Sequence, residues 1–224
     1  MKIFLPGLVF LSALCLFGCG GDTASSTPES ATPAPPAQTL PKIVAFGDSL
    51  TAGYGLDPKQ SYPAILQKKL DADGYKYEVV NAGVSGDTSA GGLRRLDWSL
   101  EGGGVRVLIL ELGANDFLRG QPVKETRRNL SQIIERAKSK GVRVLLAGMY
   151  TTTNAGDAYL REIDEVFKSL ASEHDVPLIP FFLENVAGKR DLNLDDGVHP
   201  NAEGTKLVAD TVYKYLKPML DEDK

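Results

Sequence analysis

Cysteine and histidine are scarce in this chain. Its 224 residues hold two of each: Cys15 and Cys19 near the N-terminus, His174 and His199 in the last third. A disulfide framework or a thiolate metal centre needs more sulfur in the folded part of the chain. Two histidines likewise argue against a zinc site. Basic blocks are missing, and the formal net charge of -4 argues against nucleic acid as a partner. Long apolar runs are missing too. The stretch over residues 3–17 is mostly apolar but too short for a comfortable membrane span. What remains, 42% hydrophobic and 24% charged, is ordinary for a soluble globular domain, so a packed core is expected.

The apolar N-terminal stretch follows Lys2 and has the length of a secretory signal. Leu16-Phe17-Gly18-Cys19 resembles a bacterial lipoprotein signal, although Phe17 is bulkier than is usual there. The resemblance implies removal of residues 1–18, Cys15 included, and acylation of Cys19. Two or more acyl chains would hold the product on a membrane, where one chain binds only marginally. Residues 19–40 are rich in Ser, Thr, Pro and Ala without apolar periodicity, which predicts a flexible tether. The expected product is an exported, lipid-anchored protein of the cell envelope. If the cell has two membranes, resemblance to sorting signals, with Gly20 after the cysteine, favours the outer one. One domain over residues 41–224 follows.

Within it, apolar runs alternate with amphipathic stretches. Strands are expected at residues 43–46, 77–80, 105–112, 142–147 and 177–181. Helices are expected at 61–73, 88–100, 123–140, 158–172 and 201–220. Apolar strands flanked by helices imply a parallel sheet covered on both faces, a three-layer α/β/α sandwich with five strands. Such sheets bind ligands at the carboxyl ends of their strands. Ser49, Gly83 and Asn115 follow the first three strands and fall on that edge.

A serine at a strand end attacks only if a base takes its proton, and only His174 or His199 can supply an imidazole. Of the two, His199 alone has a carboxylate, Asp196, three residues earlier in a turn-rich loop. An acceptor on the second ring nitrogen fixes tautomer and orientation. Ser49, His199 and Asp196 therefore qualify as nucleophile, base and orienting acid of a serine hydrolase. The Gly-x-Ser-x-Gly elbow of α/β-hydrolases is absent.

Four words in order carry a closer resemblance: Gly47-Asp48-Ser49-Leu50, Gly83 within Asn81-Ala82-Gly83-Val84-Ser85-Gly86-Asp87-Thr88, Gly113-Ala114-Asn115-Asp116, and Asp196-x-x-His199-Pro200. Together they resemble the conserved blocks of SGNH (GDSL) hydrolases over essentially all of residues 42–220. The longer words around Asp87 and Glu111 are similar to the thioesterase I/lysophospholipase L1 and arylesterase branch. The resemblance implies a flavodoxin-like fold and an oxyanion hole made by the Ser49 and Gly83 amides and the Asn115 side chain. It also implies no cofactor or metal, and as substrates aryl or short-chain acyl esters, lysophospholipids and some thioesters. Asp195 competes with Asp196 as the acid but breaks the family spacing. A monomer is expected. Two rival functions stay open: a carbohydrate O-deacetylase, and an envelope lipoprotein that binds ligands without catalysis.

Plainer roles are expected elsewhere. Asp48 and Asp116 should hydrogen-bond turn backbones. His174 should be a surface residue at a helix end. Arg94-Arg95 and Arg127-Arg128 read as solvated helix faces, and Trp98 and Leu100 as core. Phe117 and Leu118, just past a strand end, are candidate substrate-binding residues.

Overall fold

The computed structural model describes residues 39–150 and 156–222. The signal segment 1–18, the candidate acylation site Cys19 and all of the tether but Thr39 and Leu40 lie outside the described residues. Five strands form one sheet: β1 (Lys42–Gly47), β2 (Glu78–Gly83), β3 (Val105–Glu111), β4 (Arg143–Ala147) and β5 (Leu178–Ile179). All neighbours are parallel, in the order β2-β1-β3-β4-β5. The helices are α1 (Ser49–Ala52), α2 (Tyr62–Ala72), α3 (Ser89–Ser99), α4 (Ala114–Leu118), α5 (Val123–Ser139), α6 (Asp157–His174) and α7 (Ala202–Asp221). The expected α/β/α sandwich is present, with α2 packed on α7 and α5 packed between α3 and α6. Among the described residues no helix is long and apolar enough to cross a membrane.

Burial explains the patterns. Val107, Leu108, Ile109 and Leu110 of β3 are wholly enclosed because helices cover both faces of this central strand. Each such side chain contributes roughly 1.5–3 kcal/mol on leaving water. The helix α5 turns Leu130, Ile133, Ile134 and Ala137 inward at helical spacing. The sheet order reverses between β1 and β3, and open parallel sheets bind ligands at such a switch point. The register brings the ends together there: Gly47 pairs with Gly83 on one side and Glu111 on the other.

Three expectations about side chains need correction. Trp98 is not core; it is 72% exposed, on the outer side of α3, while Leu100 is buried as expected. Phe117 is not on an open groove; it is 1% exposed and meets Phe167 edge-on in the core. Arg95 is not solvated, as described below. Leu118 does face solvent. His174 ends α6, with Nε2 2.8 Å from Ser131 Oγ.

Candidate active site

Ser49 opens α1 immediately beyond β1. Asp48 caps that helix, its carboxylate accepting from the Leu50 N–H at 3.0 Å. Gly53, left-handed at φ 79°, ends the helix after one turn. Ser49 is thus presented on a short rigid step at the sheet edge.

The second half of the site comes from residues 192–201, which are tied down along their length. Leu194 N–H donates to the His199 carbonyl at 2.7 Å, and Asn193 bridges Pro200. The Asn201 side chain caps α7 through the Glu203 and Gly204 amides. Inside this loop Asp196 Oδ1 accepts from the backbone N–H groups of Val198 (2.9 Å) and His199 (3.0 Å). Its Oδ2 stands 2.7 Å from His199 Nδ1, and His199 Nε2 stands 2.9 Å from Ser49 Oγ. The two backbone amides, the His199 amide first, hold the Asp196 carboxyl down to about 2. It is therefore ionised at neutral pH, which assigns the proton to Nδ1 and leaves Nε2 free to accept from the serine. Asp195 takes no part in this chain of hydrogen bonds, which runs through Asp196.

Gly83 is the last residue of β2, and a Cβ there would lie 2.2 Å from the Ala52 nitrogen, so only glycine lets α1 rest against it. Its N–H donates to Asn81 Oδ1 at 3.0 Å, so an incoming oxygen must share or displace that side chain. Asn115, in α4 beyond β3, donates one Nδ2 hydrogen to Asp48 Oδ2 at 2.9 Å. A carboxamide nitrogen has a second hydrogen to offer. The structure therefore brings Ser49, Asp196, His199, Gly83 and Asn115 to one edge. Among the candidate binding residues Leu118 is exposed there, and Phe117 is turned inward.

Sequence reasoning gives Tyr54 and Glu111 no place in the site and gives Asp116 only a turn-backbone role. Tyr54 places its ring 4.6 Å from the His199 imidazole, covering one side of it. Asp116 reaches past its own turn to the Ser89 N–H (2.8 Å) and Oγ (2.5 Å), tying the end of β3 to the start of α3. Glu111 is wholly buried beneath α1, with Oε2 accepting from Thr51 Oγ1 (2.7 Å) and the Asp48 N–H (3.2 Å). An acid inside the most apolar run of the chain was the available signal for Glu111. For Tyr54 the signal was weaker, an aromatic residue between two glycines just after the serine.

The buried carboxyls have a consequence for stability. Burial raises Asp48 to about 6, against the pull of the Leu50 N–H and Asn115. Burial and the nearby Asp48 charge hold Glu111 well above the usual carboxylate range. Both groups are raised, so their contribution is complete below the unfolded carboxylate values near 4 and is lost as pH rises through the folded ones. Glu111→Gln keeps an acceptor for Thr51 without an ionisable group. The variant is expected to melt higher than the native chain by several degrees at about pH 8 and by clearly less at about pH 5. Thermal melts at the two pH values test this; an unchanged pH slope would mean that Glu111 is ionised when folded.

Comparison with known proteins agrees with this geometry. Residues 45–207 match the family model described as the GDSL-like lipase/acylhydrolase family. The esterase TesA of Pseudomonas aeruginosa is 40% identical over 184 residues, spanning 82% of this chain and 90% of that protein. The thioesterase 1/protease 1/lysophospholipase L1 of Escherichia coli K12 is 39% identical over 181 residues, 81% of this chain and 86% of the relative. Among solved structures, the psychrotrophic esterase EstA from Pseudoalteromonas sp., inhibited by monoethylphosphonate, superposes with a TM-score of 0.77 at 35% identity. It covers 81% of this chain and 99% of that one. With a family match over most of the chain and relatives near 40% identity over about four fifths of it, this chain belongs to the GDSL-like lipase/acylhydrolase family.

Proposed function

We propose that Ser49 is the nucleophile of a serine esterase, His199 its general base and acid, and Asp196 the carboxylate that orients the imidazole. The observation that carries this reading is the unbroken pair of hydrogen bonds from Asp196 Oδ2 through the ring to Ser49 Oγ, 2.7 and 2.9 Å long. Ser49 Oγ attacks the ester carbonyl carbon as its proton passes to His199 Nε2. The carbonyl oxygen becomes an oxyanion, met by the Ser49 and Gly83 amides and the Asn115 side chain. The bond to the leaving alcohol then breaks as that oxygen takes the proton from Nε2. Water gives a proton to Nε2 and attacks the acyl-Ser49. Collapse releases the acid and returns the proton to Ser49. The ester, one water and these residues account for every proton and electron pair, and no cofactor is called for.

The substrates proposed are aryl and short-chain acyl esters, lysophospholipids and, more narrowly, thioesters. The relatives named as esterase and as thioesterase and lysophospholipase support that range. So does the rim of the site. Val84 beside Gly83, Val198 beside His199, Tyr54 against the imidazole and Leu118 beyond Asn115 all expose large apolar surfaces. An acyl chain laid there leaves water together with them. The N-terminal sequence supports export and attachment to a membrane through an acylated Cys19, with residues 19–40 as tether. One chain supplies every residue of the site, which supports a monomer as the acting unit.

The test is a ladder of 4-nitrophenyl esters from acetate to palmitate, with lysophosphatidylcholine and acetylated xylan alongside, using the purified chain. Aryl esters and the lysophospholipid are expected to turn over. Acetate released from the polysaccharide, with longer chains untouched, would transfer the assignment to a carbohydrate deacetylase. A Ser49 that resists an organophosphonate would leave only a ligand-binding protein.

A further inference from the structure

Arg95 occupies an unusual place for a cation. It lies on α3 with its side chain 16% exposed, and its guanidinium carbon sits 3.9 Å from the centroid of the Phe46 ring of β1. Every nitrogen of the fork is engaged. Nε donates to Asp87 Oδ2 at 2.7 Å, Nη1 to the Ala82 carbonyl at 2.8 Å and more distantly to Ser99 Oγ at 3.4 Å, and Nη2 to the Gly47 carbonyl at 2.9 Å. The two carbonyls are the last before the two turns of the site. Gly47 precedes Asp48-Ser49, and Ala82 precedes Gly83. The Gly47 carbonyl also accepts from the Val84 N–H, so the two turns are stitched together at the point the cation grips. The rest of α3 accommodates this grip. A Cβ on Gly91 would lie 1.7 Å from Asp87 Oδ1, the carboxylate that aims the guanidinium. A Cβ on Gly92 would meet Leu112 at 2.3 Å and Phe46 at 3.1 Å. Two adjacent helical glycines each cost about 1 kcal/mol relative to alanine. Alanine at Gly91 would displace Asp87, and alanine at Gly92 would displace Leu112 and crowd the Phe46 ring beneath Arg95.

We propose that Arg95 is a positioning residue of the oxyanion hole, fixing and polarising the Ala82–Gly83 peptide so that the Gly83 N–H donates strongly to the developing oxyanion. The proposal rests on the reading of Gly83 as an oxyanion donor. The Ala82 carbonyl and the Gly83 N–H are the two ends of one planar, conjugated group. A charge-assisted hydrogen bond at the oxygen draws electron density from the nitrogen and makes its hydrogen a better donor. The same bond holds the peptide plane, so no reorientation is needed as charge appears on the substrate. A lysine ammonium cannot reproduce this, because it lacks the planar fork that grips two carbonyls and a carboxylate together.

The experiment compares the native full chain with Arg95→Lys, Asp87→Asn and the exposed control Arg94→Gln, on 4-nitrophenyl acetate. Arg95→Lys is expected to lower kcat by about ten- to a hundredfold, less than loss of a whole oxyanion donor, with KM within about twofold. Asp87→Asn, which keeps the cation but loosens its aim, should lower kcat by a smaller factor; Arg94→Gln should change nothing. The second readout is the Gly83 amide proton by NMR before and after phosphonylation of Ser49. It should move downfield in the native chain and by clearly less in Arg95→Lys. If Arg95→Lys does not fold, Asp87→Asn carries both readouts. An unchanged kcat overturns the proposal. So does a lowered kcat with the full native movement of the Gly83 amide, which would make Arg95 a structural brace alone. If Ser49 is phosphonylated in the native chain and the Gly83 amide stays still, the reading of Gly83 falls, and the proposal falls with it.

Discussion

Ser49→Ala is expected to slow hydrolysis of 4-nitrophenyl acetate by about 10⁴-fold or more while the domain stays folded. The substitution removes one atom, the Oγ that lies 2.9 Å from His199 Nε2. It leaves the start of α1 intact, because the cap is the Asp48 carboxylate on the Leu50 amide and not the Ser49 side chain. Ser49 is only partly buried, so the lost hydroxyl opens no deep cavity. The amides of residues 49 and 83 and the Asn115 carboxamide survive, which should leave a small residual rate above that in water. Initial rates, with unchanged circular dichroism and melting temperature, measure this. A variant within about tenfold of the native rate would remove Ser49 from the chemistry, since no other group in the proposed mechanism forms the acyl-enzyme.

How much of this could be read from the residues depended on what set each feature. Strands such as β3 were legible because burial on both faces makes the whole run apolar. The longer helices were legible because one face is buried at a helical period. The helices α1 and α4, with four and five residues, are too short to show a period. They are set by turn chemistry instead: the Asp48 cap in one case and Gly113 at φ 117° in the other. Missing α4 also misplaced Phe117. Two residues along a helix turn a side chain about 200°, so the turn that presents Asn115 at the sheet edge swings Phe117 into the core against Phe167. Trp98 follows the same rule, two residues past the buried Leu96 and therefore on the opposite side of α3. There the size of the side chain outweighed its position. Arg95 was hidden for another reason. It flanks the Leu93–Leu96–Leu100 stripe, where a charge reads as solvated. Besides Asp87 and Ser99, its partners are carbonyls at the ends of two strands, and no local pattern of side chains announces those. The site words, by contrast, were legible because serine, histidine and aspartate are the residue types the proposed chemistry calls for, and the fold brings them together.

Asp196→Asn is expected to cost about 10⁴-fold in kcat with KM little changed, although the side chain keeps its size and shape. The two oxygens of Asp196 do different work. Oδ1 holds the turn through the Val198 and His199 amides, and Oδ2 faces His199 Nδ1. In asparagine only one end can accept. Two backbone donors outweigh one ring nitrogen, so the amide oxygen takes the Oδ1 place and the NH₂ group turns to the imidazole. Nδ1 must then accept, the ring proton moves to Nε2, and Nε2 can no longer receive the Ser49 proton. Asp196→Ala separates the two roles, because it also releases both backbone amides. That variant should loosen the loop, raise KM and lower the melting temperature, where the asparagine variant should do neither. Acid inactivation gives a further constraint. The carboxyl is held down to about 2, so it stays charged as pH falls through about 6 to 4. A loss of activity in that range would therefore not come from protonation of Asp196. Steady-state kinetics of both variants decide the matter. If Asp196→Asn keeps more than about a hundredth of the native kcat, the tautomer argument fails, and the carboxylate is then only a clasp for the loop.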